Sequence, residues 1–241
     1  MHGPQAGTVG TLLRMKERIL KLSDGTETFL VLLIAFGMFL PPNLAALVSP
    51  DLLAHRDSPP ISNSHLQGLV LYEVVILVIL AAFLRARGWT LARLGMQPTV
   101  RNTAYGFGLC VGYYLFYCAL VMTLAEVWPT FAQLSRSTHL VAADLHWPTV
   151  IAASTVNPVF EEVLVCGYVI TALKDRVGIT TAVNVSAGIR VFYHLYQGAV
   201  GVVGIAPLAL LFAYGYARTG RLWPLIVAHA LTDFWALAAS M

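Results

Sequence analysis

Two adjacent glutamates, Glu161 and Glu162, lie inside an otherwise apolar stretch of the chain. A carboxylate buried away from water is costly, so ionisable side chains in such stretches usually face a protein interior or a wet cavity. Adjacent residues on a helix point about 100° apart, so the two carboxylates are expected to meet different surroundings. Pro158 lacks a backbone N–H, which predicts a bend just before the pair and room there for water.

Two later apolar stretches carry ionisable pairs at helical spacing. Arg190 and His194 are four residues apart, as are His229 and Asp233. Residues four apart share a helix face, so Asp233 is expected to orient the ring of His229. A carboxylate and histidines beside captive water could transfer protons, provided that the helices meet. Glu73, in an earlier apolar stretch, has no polar partner spaced along its own face, and we assign it no role.

The elements that must position these residues are predicted to be membrane helices. Of the 241 residues, 58% are hydrophobic and only 11% are charged, whereas soluble domains carry about 25% charged residues. Long apolar stretches separated by short basic runs predict an all-α, polytopic membrane bundle that forms a single transmembrane domain over residues 1–241. The lipid bilayer is therefore an expected partner. The basic residues belong to the loops between spans, so nucleic acid is not an expected partner.

We predict seven transmembrane helices. Most of the 15 basic residues fall in the N-terminal segment and in loops that seven spans place on one side. The positive-inside rule then makes the N-terminus cytoplasmic and the protein a multi-pass cell-membrane protein, with a bacterial inner membrane as the expected location. Residues 11–22, within the cytoplasmic segment 1–27, alternate apolar and basic side chains, which fits either an interfacial helix or a solvated cap. The spans lie roughly at 28–48, 66–84, 103–124, 147–172, 180–198, 199–217 and 222–239.

Three motifs in this order resemble those of the CAAX-protease and bacteriocin-processing (CPBP) family of intramembrane endopeptidases, which includes the type II CAAX prenyl proteases. The family pattern is Glu-Glu-x-x-x-Arg, then Phe-x-x-x-His, then His-x-x-x-Asn/Asp, each on a different membrane helix. Here the motifs are Glu161 to Cys166, Arg190 to His194, and His229 to Asp233. The resemblance covers residues 149–235, so we place the catalytic core helices at 147–239. Residues 87–96 are also similar to the loop that precedes the family core.

The resemblance implies hydrolysis of a peptide bond in a membrane-anchored protein or peptide without a cofactor. By position, Glu161 would be the base that activates water. His194 would hold that water or protonate the departing amine, and His229, oriented by Asp233, would stabilise the oxyanion. Glu162 belongs to the same catalytic motif.

The chain departs from the family pattern at two positions. Cys166 stands where the first motif has Arg, and Arg190 stands where the second often has Phe. A buried arginine and a buried glutamate each need a charged partner. We therefore predict that Arg190 supports Glu162 by supplying the missing guanidinium from another helix.

Within the same reaction, two other chemistries remain open. Glu161, His194, His229 and Asp233 together contain the nitrogen and oxygen ligands of a zinc site, although no His-Glu-x-x-His pair fixes two ligands on one helix. A thiol protease would instead use Cys166 as nucleophile and His194 as base.

Two other classes of protein also remain open. A proton-coupled transporter places carboxylates and histidines in the membrane, but it usually shows repeat symmetry, which this chain lacks. A catalytically silent immunity or scaffold protein would explain the lost motif arginine. Residue counting also places the rings of His194 and His229 about 10 Å apart in depth, so the helices must tilt or stagger if both rings are to act on one bond.

Overall fold

The computed structural model describes residues 20–48, 61–131 and 142–241, and nearly all of these residues are helical. The prediction of an all-α polytopic bundle is confirmed. The predicted interfacial helix at 11–22 lies outside the described residues, apart from its last three positions. The helices are α1 (Asp24–Phe36), α2 (Leu40–Val48), α3 (Asn63–Ala86), α4 (Val100–Val127), α5 (Trp147–Glu161), α6 (Thr171–Val177), α7 (Ile179–Tyr193), α8 (Gly198–Thr219) and α9 (Trp223–Ala238).

Shorter elements connect these helices. A 3₁₀ turn at Gly37–Phe39 joins α1 to α2, and a second at Leu195–Gln197 joins α7 to α8. A π-helical segment at Glu162–Ile170 continues α5 into α6. Two residues before α3 pair in parallel with two residues before α5, as strands β1 (Ile61–Ser62) and β2 (Ala142–Ala143). This pairing ties together the starts of two helices that carry polar residues of the bundle interior.

Five stretches of the described chain are long and apolar enough to cross a membrane. The helices α7 and α9 have 15 and 16 residues, which at about 1.5 Å per residue is less than the roughly 30 Å hydrocarbon thickness. The count of seven spans and the cytoplasmic N-terminus therefore stay predictions. The five stretches are Asp24–Ala45, Asn63–Ala86, Val100–Val127, Trp147–Val177 and Val200–Thr219.

Local sequence sets several helix boundaries. The side chains of Ser62 and Thr99 precede α3 and α4 and accept hydrogen bonds from backbone N–H groups of the first turn. These groups have no partner within the helix, so such caps stabilise its start. Gly220, in the left-handed conformation, ends α8. A residue without a Cβ adopts that conformation at little cost.

The helix α5 and the π segment lie at the centre of the bundle. They pack against α3, α7 and α9, while α9 also packs against α4, and α7 against α8. The π segment is almost completely buried, with Tyr168 and Ile170 at most 1% exposed. Large apolar side chains on α3 and α4, such as Val78 and Leu115, are instead 66% and 70% exposed. This distribution is that of a bundle with a polar interior and a lipid-facing outer surface.

The loop at residues 87–96 docks on the turn that precedes α9. Gly95 has a φ of +73°, and a Cβ on it would lie 1.9 Å from the carbonyl oxygen of Gly220. The backbone N–H of Leu222 donates to the carbonyl of Gly95 over 2.9 Å. Only glycine fits this contact, which fixes the start of α9 and hence the position of His229 on it.

A buried glutamate attaches α1 to the same loop and to the π segment. Glu27 is 4% exposed. It accepts hydrogen bonds from Arg87 at 2.5 Å, Trp89 at 2.9 Å and the hydroxyl of Tyr168 at 3.0 Å. Three donors from two elements satisfy one buried carboxylate, so this cluster locks α1 against the core.

Candidate active site

The two central glutamates lie where the helix changes its winding. Pro158 is accommodated inside α5, and the backbone widens to π spacing at Glu162. Single stretches of π-helix are rare and often occur at functional sites. The side chains are buried, with Glu161 at 5% and Glu162 at 0% exposure. As expected from their angular separation, the two carboxylates have almost entirely different partners.

Glu161 is surrounded by polar groups from α5, α9 and the end of α7. Its Oε2 accepts a hydrogen bond from the hydroxyl of Tyr193 at 2.6 Å and lies 4.0 Å from Nε2 of His229. Its Oε1 accepts from the side-chain amide of Asn157 at 3.3 Å and lies 3.9 Å from Nε2 of His194. Each carboxylate oxygen therefore has one anchoring donor and faces one histidine ring.

Glu162 pairs with the only intramembrane arginine predicted from the sequence. Its Oε1 lies 2.5 Å from Nη2 of Arg190, and both side chains are almost completely buried. The predicted pairing is therefore confirmed. The same guanidinium lies 4.0 Å from the sulfur of Cys166, the residue at the position of the motif arginine. A guanidinium from α7 thus lies beside the place where the family pattern puts one on the same helix as the glutamates.

His229 is held between carboxylates on both sides of its ring. Its Nδ1 lies 2.8 Å from Oε1 of Glu162, and its Nε2 lies 3.4 Å from Oδ1 of Asp233. A ring that carries hydrogen on both nitrogens satisfies both contacts. The sequence predicted that Asp233 orients this ring, but the contact on Nδ1 is made by Glu162, and Asp233 lies on the side that faces Glu161. Asp233 is the more open of the two, with 27% of its side chain exposed.

His194 lies in the turn directly after α7. Its Nδ1 is 2.9 Å from the carbonyl oxygen of Arg190. A carbonyl only accepts, so Nδ1 carries the hydrogen, and in the neutral ring Nε2 presents its lone pair toward Glu161. Asn43 of α2 is fully buried and holds this turn: it donates to the carbonyl of Tyr193 over 3.3 Å and accepts from the N–H of Tyr196 over 2.9 Å.

The structure brings all the predicted site residues together. Both histidine rings approach one carboxylate, since each has a nitrogen within 4.0 Å of Glu161. The difference of about 10 Å in depth between the two rings, which residue counting predicted, is therefore not observed. The physical reason is that α7 ends at Tyr193, so His194 lies in a turn and not farther along a straight span.

Four polar residues of this region were given no role by the sequence analysis. Glu73 of α3 is 1% exposed and accepts a hydrogen bond from Asn157 at 2.7 Å. The sequence offered no partner for Glu73, because that partner lies on another helix. Asn157 could have been found, since it lies four residues before Glu161. Asn43 and Tyr193 are polar residues in apolar surroundings, but their partners depend on how the helices pack.

The two other chemistries find little support in the geometry. Within the described ranges, no group of three His, Cys, Asp or Glu side chains is arranged to hold a metal ion. Nucleophilic Cys166 would need a neighbouring base. Cys166 is 1% exposed, and in the described part of the chain its polar neighbours are Arg190, Glu162 and Ser186, while His194 faces Glu161. The absence of a cofactor stays a prediction.

Comparison with known proteins identifies one family. The family model described as type II CAAX prenyl endopeptidase Rce1-like matches residues 143–235. These residues contain α5, the π segment, α7 with the turn after it and most of α9, and hence every predicted catalytic side chain. The match supports the resemblance to the CAAX-protease and bacteriocin-processing family over these residues. No curated protein and no solved structure matches the chain.

Proposed function

We propose that this chain, whose residues 143–235 match the Rce1-like family of type II CAAX prenyl endopeptidases, hydrolyses a peptide bond of a membrane-anchored protein with Glu161 as the base that activates water. The match supports an endopeptidase of the CAAX type. The assignment of roles to individual side chains rests on the site geometry.

The observation that carries the proposal is the placement of two histidines around one carboxylate. Nε2 of His194 is 3.9 Å from one oxygen of Glu161, and Nε2 of His229 is 4.0 Å from the other. These distances are too long for good direct hydrogen bonds and short enough for one water molecule to contact both groups. A general base must reach its proton directly or through one water, and this arrangement meets that requirement.

The reaction follows from these positions. Glu161 takes a proton from water, and the water oxygen attacks the carbonyl carbon of the peptide bond. The lone pair on Nε2 of His194 orients the same water. The C–N bond then breaks, and the proton held by Glu161 passes to the departing amine. Each step is a proton transfer or a bond change at groups that already lie within hydrogen-bonding reach of one water.

The negative charge that develops on the carbonyl oxygen needs a donor placed in advance. His229 can supply it from Nε2, because its Nδ1 is engaged by Glu162. Glu162 is in turn held by Arg190 at 2.5 Å. In this proposal, Glu162 and Arg190 do not touch the substrate. They hold His229 in the orientation and the protonation state in which it donates.

The substrate is inferred to be anchored in the membrane. The site side chains are mostly buried and lie on apolar helices, with Glu161 at 5% and His229 at 5% exposure. A soluble peptide would have to leave water to reach them, whereas a peptide that follows a membrane anchor is already at the bilayer. The family description, which names a prenyl endopeptidase, supports the same class of substrate.

The test is cleavage of membrane-anchored reporter peptides by the purified full-length protein in detergent. Glu161→Gln keeps the shape of the side chain but cannot take a proton in the same way, so turnover should fall by about 100-fold or more while the protein still folds. Glu126→Gln is the matched control, because Glu126 is an exposed carboxylate on another helix. Full activity of Glu161→Gln contradicts the base role. A wild-type protein that cleaves none of the peptides favours a transporter or a silent scaffold.

A further inference from the structure

Glu73 is a buried carboxylate that the mechanism above does not use. It comes from α3, outside the residues that carry the three motifs, and it is 1% exposed. Its Oε1 accepts a hydrogen bond from Asn157, and its Oε2 has no partner among the described side chains. A carboxylate that only braced the bundle would be expected to bind several donors, as Glu27 does. Glu73 makes its one hydrogen bond toward the site.

The side-chain amide of Asn157 lies between two carboxylates and donates to both. Its Nδ2 lies 2.7 Å from Oε1 of Glu73 and 3.3 Å from Oε1 of Glu161. An amide nitrogen carries two hydrogens, so one can be directed to each carboxylate. The contact with Glu73 is the shorter of the two, which makes Glu73 the stronger determinant of which end of the amide faces the site.

The opposite orientation of this amide would disturb Glu161. If the amide turned over, its oxygen would face an oxygen of Glu161, and two acceptors repel each other. Glu73 favours the donating orientation because it also presents an acceptor to the same nitrogen. The carboxylate of Glu161 is then held from both sides, by Asn157 on Oε1 and by Tyr193 on Oε2.

We propose that Glu73 is a positioning residue for the peptide hydrolysis assigned above: through the amide of Asn157 it fixes the carboxylate of Glu161 so that its two oxygens face His194 and His229. This inference rests on the proposed function. Glu73 does not reach the reacting atoms. Its effect is therefore on the turnover of bound substrate, and substrate binding is left largely unchanged.

The experiment measures kcat and KM with the same membrane-anchored peptides for variants of Glu73 and Asn157. In Glu73→Leu the acceptor is lost, and kcat should fall about ten-fold or more while KM stays within about two-fold of the wild type. In Glu73→Gln the side-chain oxygen still accepts from Asn157, so kcat should stay within about three-fold of the wild type. Val78→Ala, on the exposed face of the same helix, is the matched control and should behave as the wild type.

A double-mutant cycle separates positioning from general support of the fold. If Glu73 acts through Asn157, the double variant Glu73→Leu with Asn157→Leu should be no slower than Asn157→Leu alone, since both changes break the same connection. If the two changes caused independent structural defects, the fold-reductions in kcat of the two single variants would instead multiply in the double variant. Thermal stability of every variant in detergent is measured beside its activity, so that a loss of folded protein is not counted as a loss of turnover.

Three results overturn the proposal: wild-type kcat in Glu73→Leu, multiplying losses in the double variant, or a Glu73→Gln variant as slow as Glu73→Leu. Should Glu73→Leu not fold, Asn157→Asp tests the same connection. It keeps the shape but removes the donor, and full activity of Asn157→Asp overturns the proposal. Wild-type cleavage that is lost in Glu161→Gln but unchanged in Glu73→Leu overturns only the role of Glu73. A wild type that cleaves nothing overturns the proposed function and this inference with it.

Discussion

The guanidinium of Arg190 lies 2.5 Å from a carboxylate oxygen of Glu162, in the buried centre of the bundle. The same oxygen receives Nδ1 of His229 at 2.8 Å. One carboxylate thus joins a cation from α7 to a ring from α9, beside Cys166 of the π segment. A guanidinium from another helix thus contacts Glu162, in a chain that lacks the arginine that the family pattern places at position 166.

The first prediction concerns this replacement. In Arg190→Ala, buried Glu162 loses the guanidinium and keeps only the ring of His229 at 2.8 Å, which should cost roughly 3–5 kcal/mol and abolish folding or activity. In the double variant Arg190→Ala with Cys166→Arg, a guanidinium returns four residues after Glu162, and part of the folded yield and the cleavage activity should return. The double variant Arg190→Ala with Cys166→Ala is the control. No recovery with Cys166→Arg would contradict the replacement.

The second prediction is that substitution of the two glutamates has different effects, on stability for Glu162 and on turnover for Glu161. Glu162→Gln leaves Arg190 without its counter-ion, which should lower the free energy of unfolding by roughly 3–5 kcal/mol. The melting temperature, the folded yield and the activity should therefore all fall. Glu161→Gln should lose turnover but keep its stability. Thermal unfolding in detergent and single-turnover cleavage are measured on both variants. A stable but inactive Glu162→Gln, together with an active Glu161→Gln, would show that the two roles are reversed.

The third prediction concerns the thiol of Cys166. This side chain is 1% exposed and has no histidine beside it in the described part of the chain, so it is expected to pack and not to react. Cys166→Ala should keep kcat within about three-fold of the wild type, at a small cost in stability for the lost volume. Cys118→Ala, at an exposed position, is the control. Loss of all cleavage in a folded Cys166→Ala protein would support the thiol mechanism instead.

The fourth prediction concerns the docking of the 87–96 loop. Gly95→Ala places a methyl group 1.9 Å from the carbonyl oxygen of Gly220 on a backbone with a φ of +73°. Both strain and overlap displace the start of α9, so folded yield and activity should fall steeply. Gly88→Ala has a φ of +83° but nothing within 4 Å, and should cost only the backbone strain, about 1–3 kcal/mol. Equal melting temperatures for the two variants would contradict the docking contact.

Much of this protein could be predicted from local pattern. The apolar stretches predicted helices, because a chain that crosses lipid must satisfy its backbone hydrogen bonds internally. The spacing of His229 and Asp233 placed that pair on one face, because that relation is a property of a single helix. The charge of Glu162 required a cation, and Arg190 was the only arginine within the predicted spans. These inferences use neighbours in sequence or a balance of charge.

The tertiary structure decided which atoms meet. Glu73 gains its partner Asn157 only because α3 packs on α5. Likewise, the turn that ends α7 brings His194 to Glu161, although residue counting along straight spans placed the two histidines at different depths. Glu162, 67 positions away in the chain, contacts one ring nitrogen of His229, and Asp233 on the same helix contacts the other. Contacts between helices depend on where each helix bends, widens and ends, and these features result from the packing of the whole bundle, which a local sequence pattern does not contain.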